Sequence, residues 1–337
     1  MRTFACIALG VAAAVVWAGA ASAQPAAASG DGWPAPRTPW GAPDLQGVWT
    51  NTMTTPLERP DELAGREVLT AEERAELDEL AVRNADQPPR ERDTGAYNSF
   101  WLEKGLRTEQ TSLIVAPADG KLPAFTPAAQ QRVVDLAAAR KLPSASWTDL
   151  NVFDRCIARG MPGAMMPGFY NHNYHILQSP GYVVIALEML HDVRVIPLDG
   201  RPHIAPGIAQ WLGDSRGRWE GDTLVVETTN VADKVNEFRR SHTVFGASRH
   251  LRLVERFRRA GPDRIDYSFT VDDPTTFVTA WTGSAPLSST EGPLYEYACH
   301  EGNYAMEHIL RGARAQDGAG EDFNPVAPLT LIRGGNP

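Results

Sequence analysis

Cysteine is scarce in this chain, three in 337 residues, and no two of them form a C-x-x-C pair. H-E-x-x-H, G-x-S-x-G, the P-loop and the Rossmann glycine fingerprint are absent as well. These gaps remove the commonest zinc-protease, hydrolase and nucleotide-binding readings, although a triad assembled from distant residues stays open. Bases are outnumbered, 32 Lys and Arg against 41 Asp and Glu, for a formal net charge of −9. An acidic surface repels phosphate backbones and anionic headgroups, so neither nucleic acid nor a membrane surface is an expected partner.

What the chain does have begins at its first residues. Met1-Arg2 is a short positive start, Phe4 to Trp17 an apolar run, and Ala21-Ser22-Ala23 a small-x-small site before Gln24. That grammar predicts a signal peptide over 1–23, cleavage after Ala23 and a periplasmic or secreted product. The longest apolar run after it, Tyr182 to Leu187, is far short of a membrane span. Cleavage takes Cys6 away and leaves Cys156 and Cys299. In an oxidising compartment this pair is expected to form a disulfide, two buried thiols being the alternative.

Residues 24–46, rich in Ala, Pro and Gly, are expected to be a disordered leader. From 47 to 178 the chain is Pro-broken, an irregular wrapping region with two or three helices. Thr70-Ala71-Glu72-Glu73 is a capping box opening a helix to about residue 85. Thr126-Pro127 starts a second helix with an apolar face of Ala129, Val133, Leu136 and Ala137, stopped at Leu142-Pro143. From 179 to 315 the period changes to two. Val183–Met189 and Val193–Pro197 read as a hairpin, as do the strands flanking Glu220-Gly221-Asp222 and those joined by Ala260-Gly261-Pro262-Asp263. Thr276–Trp281 and Leu294–Cys299 are expected to complete an antiparallel meander, with 316–337 a tail. The fold class is therefore mainly β, a meander closing into a barrel-like core.

Gly47-Val48-Trp49 resembles the Gly-x-Trp that opens the first strand of lipocalins, which implies a barrel with an interior able to hold one small ligand. The stretch Trp211-Leu212-Gly213-Asp214-Ser215-Arg216-Gly217-Arg218-Trp219-Glu220-Gly221-Asp222-Thr223-Leu224-Val225-Val226 resembles a family of uncharacterised secreted bacterial proteins. So does Leu294 to Tyr304; the resemblance runs from about 44 to 315 and implies no activity.

Chemistry is expected where the alternation breaks. In the row Leu251, Leu253, Glu255, Phe257 a carboxylate shares an apolar face, so Glu255 is either paired with a cross-strand Arg or poised as a general acid/base. His242 or His300 would be its catalytic partner, with His191 beside Asp192 a further candidate. Arg239 or Arg240, in the long connection 230–248, would stabilise negative charge, while Trp219, Tyr267 and Trp281 line the pocket. Met161, Met165 and Met166 next to His172 and His175 raise a copper loop against ordinary gap-filling methionine. The reading is a cofactor-independent periplasmic enzyme, with no resident metal, that acts on a hydrophobic or aromatic small molecule by acid–base chemistry. A lipocalin-like carrier is the rival, and a surface protein binding polymers through exposed aromatics a third class.

Overall fold

In a computed structural model, residues 33–85, 103, 105, 107–139, 142–234 and 248–319 are described. The signal-peptide reading lies outside them. Eleven strands and three α-helices follow one another as β1 (Gly47–Thr50), α1 (Ala71–Ala85), β2 (Ile114–Ala116), α2 (Pro127–Ala139), β3 (Asn173–Ser179), β4 (Tyr182–Leu187), β5 (Val193–Pro197), β6 (Asp214–Glu220), β7 (Thr223–Thr229), β8 (Arg252–Gly261), β9 (Arg264–Asp272), β10 (Trp281–Ser284), β11 (Leu287–Ser289) and α3 (Ala305–Ala319).

The strands form one antiparallel sheet in the order β5-β4-β3-β1-β11-β9-β8-β7-β6, curled into a nearly closed barrel, with β10 and β2 branching from β9. The three expected hairpins form as β4–β5, β6–β7 and β8–β9. β5 and β6 face each other across the seam, where Gly217 is required. A Cβ there would stand 2.6 Å from Leu198 Cδ2 and 2.9 Å from Ile196 Cγ2, well inside van der Waals contact.

Period-two alternation fills the barrel from every wall. Trp49, Tyr174, Ile185, Ile196, Leu224, Phe257, Tyr267, Phe269 and Leu287 are all at most 1% exposed or fully buried. Tyr267 stacks between Phe257 and Phe269, with ring centroids 4.7 and 5.7 Å away. The hollow apolar interior expected from the lipocalin resemblance is thus occupied by the protein's own side chains.

Other expectations shift. The leader is ordered from residue 34 onward: Leu45 is fully buried, its amide donates to Gln178 Oε1 at 2.7 Å, and its carbonyl accepts from Trp49 Nε1 at 3.0 Å. The wrapping region supplies β1 and β3, so the boundary at 178/179 cuts through a barrel strand. Thr276–Trp281 is a turn instead of a strand. Asp273 accepts from the Ser248, Thr275 and Thr276 hydroxyls there, and the strand begins only at Trp281. Leu294–Cys299 is irregular, the sheet being completed by β11. The third helix lies after the barrel and carries the expected tail boundary inside it.

Both expected helix starts form. Thr70 Oγ1 accepts from the Glu73 amide at 3.2 Å, and Glu73 returns the bond to the Thr70 amide at 2.9 Å. α2 turns Ala129, Val133 and Leu136 inward while Ala137 stays exposed. Cys156 and Cys299 are bridged, with Cα atoms 5.7 Å apart, and tie the irregular segment before β3 to the turn before α3.

Candidate functional site

Glu255 does sit in an apolar row, and the reason it is tolerated is Arg194. Leu253, Glu255 and Phe257 of β8 point inward, as do Arg194 and Ile196 of β5. The Arg194 fork closes on the carboxylate, Nη1 to Oε1 at 2.9 Å and Nη2 to Oε2 at 2.5 Å, and the Tyr267 hydroxyl donates to Oε1 at 3.0 Å. Nη2 also faces the hydroxyls of Ser215 and Thr228, themselves 2.8 Å apart. Burial works against the Arg194 cation, but the facing Glu255 outweighs it and raises its pKa. Burial pushes the Tyr267 hydroxyl far above its usual value, and the carboxylate beside it pushes the same way. The carboxylate of this desolvated pair is held by three donors, while Arg194 Nε stays enclosed without an acceptor.

Of the two histidines expected beside it, only His300 is among the described residues, and it does not meet Glu255. His300 is exposed in the turn after Cys299, whereas Glu255 is completely buried. His242, Arg239 and Arg240 lie outside the described residues. Tyr267 belongs to the core as Glu255's donor, and Trp281 packs edge-on against Phe269 and Phe277. Trp219 is half-buried on β6 and packs on the core. His191 is exposed, and the Asp192 carboxylate makes no hydrogen bond among the described residues. Arg194 itself was missed, although Val193-Arg194-Val195-Ile196 places it on Ile196's face.

The Met/His segment is packed core. Met161, Met165 and Met166 are fully buried, and His172 Nε2 lies 2.6 Å from Arg159 Nη1. The Tyr174 hydroxyl donates to Asn51 Oδ1 at 3.1 Å in the same buried group. No cluster of three or more His, Cys, Asp or Glu able to hold a metal occurs among the described residues.

Space for a ligand lies outside the barrel. A groove of about 760 Å³ runs along the outer wall of β1 and β11, where Thr50 and Ser288 point opposite to the inward Trp49 and Leu287. Its far side is Arg74 of α1 with residues 103, 105 and 107–110. Gly105 lies directly on the backbone of residues 52 and 53: a Cβ there would stand 2.5 Å from Met53 N, so only glycine permits the approach. Asp78 of α1 accepts from the Arg107 amide at 2.8 Å. The lining is hydroxyl-rich and charged, with Thr50, Thr52, Thr108, Ser284, Ser288 and Thr290 beside Glu103, Glu109, Asp263, Arg74, Arg107 and Arg264. Met53 and Pro286 are its apolar members, and no aromatic ring faces it among the described residues. Sequence reasoning missed this groove because its lining comes from positions spread between 50 and 290.

No protein-family model, curated protein or solved structure is found to match the chain.

Proposed function

We propose that the protein is exported through its N-terminal signal segment and recognises a small polar molecule in the groove between β1, β11 and residues 103, 105 and 107–110. One observation carries this: a cleft of about 760 Å³ with hydroxyls and charges converging on it, beside a barrel interior filled by side chains. That volume lies within the roughly 300–1,000 Å³ usual for small-molecule sites. The lining favours hydrogen-bonding ligands over the hydrophobic or aromatic ones expected from the sequence. The filled interior disfavours a lipocalin-like carrier, and the acidic surface disfavours nucleic acid as partner.

A test is a thermal-shift panel of polar metabolites on the mature chain and on Ser288→Trp, whose exposed side chain would fill the groove. Compounds that raise the melting temperature of the parent and not of the variant support the site. Compounds that stabilise both equally place binding elsewhere.

Acid–base turnover in the groove is the second reading. Glu109 is exposed, and its carboxylate has no hydrogen-bond or ion-pair partner among the described residues. If turnover occurs, Glu109→Gln should abolish it while binding persists; undiminished turnover would exclude Glu109 as the acid/base.

A further inference from the structure

Resting on that groove reading, we infer that the ligand is a hydroxylated carboxylic acid of the sugar-acid class, its carboxylate held by Arg107 and Arg74. The hydrogen-bond accounting of the lining leads there. Among its acceptors, Glu103 and Asp263 are engaged, whereas the Glu109 carboxylate and the enclosed Oε1 of Gln110 find no partner among the described residues. Glu103 Oε2 accepts from Thr52 Oγ1 at 2.5 Å, and Oε1 from the Asn171 amide at 2.9 Å. Asp263 Oδ1 accepts from Ser289 Oγ at 2.9 Å.

Among its donors, Arg264 is paired with Asp266 at 2.8 Å, but Arg74 and Arg107 make no ion pair among the described residues. Arg107 is half-buried, and its enclosed Nε finds no acceptor. Asp78, whose charge acts on it, already spends Oδ1 on the Arg107 amide and the Thr54 hydroxyl. Asp78 acts on this partly desolvated guanidinium without an ion pair or hydrogen bond to it among the described residues, and a bidentate oxyanion on the outer nitrogens would offset the cost of burial.

The rest of the ligand is read from the opposite wall. The side-chain hydroxyls of Ser284, Ser288 and Thr290 make no hydrogen bond among the described residues, and each both donates and accepts. Such a row matches vicinal hydroxyls.

Isothermal titration of the mature protein tests this, with galacturonate as probe, galactose as its neutral counterpart and inorganic phosphate as a hydroxyl-poor anion. Galacturonate should bind at least roughly tenfold more tightly than either control, the size of one charge-assisted hydrogen bond. Arg107→Gln should erase that preference, and Arg107→Lys should restore part of it. Unliganded melting temperatures identify a variant that merely fails to fold. Equal affinity for galactose, or an unchanged preference in Arg107→Gln, overturns the carboxylate assignment; equal affinity for phosphate overturns the hydroxyl part. Absence of galacturonate binding overturns the inference altogether. The groove reading would still stand if other panel compounds were blocked by Ser288→Trp.

Discussion

Arg194 on β5 and Glu255 on β8 meet inside the barrel across the open seam, 61 residues apart in sequence, and each is at most 1% exposed at its side chain. The fork geometry gives the carboxylate two parallel donors, and Tyr267 gives it a third. β5 and β6 are not joined by a ladder, so this pair, with Ser215 and Thr228, is a polar clasp where the sheet stays open.

Removing one partner strands the other in a dry interior. Glu255→Gln or Arg194→Met should lower unfolding stability by about 3–5 kcal/mol, read from urea titration. The Arg194→Met/Glu255→Leu double variant should recover most of that loss. If the double variant is as unstable as the sum of the singles, the pair is not coupled.

The disulfide joins cysteines 143 positions apart in the sequence. In the chain-entropy description such a crosslink is worth roughly 4–5 kcal/mol. Cys156→Ser/Cys299→Ser should therefore unfold at clearly lower denaturant, and the denatured, unreduced parent should contain no titratable thiol from this pair.

Asp192 offers a pH test. Burial raises its carboxyl to about 6, and the group has no hydrogen-bond partner among the described residues. The folded form then holds its proton where the unfolded chain has released it, so this residue costs stability progressively as pH rises from about 4 to about 6. Asp192→Asn should raise the melting temperature at pH 7.5, with the gain shrinking below pH 6 and vanishing near pH 3. A gain independent of pH would assign the effect to something other than titration.

Gly217→Ala should cost about 1–3 kcal/mol, because the added methyl must displace Leu198 and Ile196 at the seam. Gly221→Ala in the β6–β7 turn meets no neighbouring atom but sits at φ 61°, so its cost should come from backbone strain alone.

Local signals were legible. Each hairpin announced itself by alternation around a turn, the Thr70 box by its residues, and Glu255 by being the one acid in an apolar row. The partner of Glu255 was harder, since Arg194 lies in a strand of five residues, too short for its inward set to stand out. Thr276–Trp281 has strand composition, but Asp273 gathers three hydroxyls and makes it a turn. The groove was invisible for a different reason. Its walls are joined only when β1 enters the sheet, and a four-residue strand carries no mark of which neighbours it will choose.

That choice has a kinetic consequence. β1 pairs with β3 through Trp49↔Tyr174 and with β11 through Trp49↔Ser289, so a strand made early waits for partners made more than a hundred and more than two hundred residues later. Contacts at such separation are reached late and slowly, because loop closure must precede any reward from pairing. The hairpins β6–β7 and β8–β9 can form as soon as they exist, but the sheet cannot be joined through β1 and β11 until residue 289 is available. During synthesis, the barrel therefore stays open until β11 has been made.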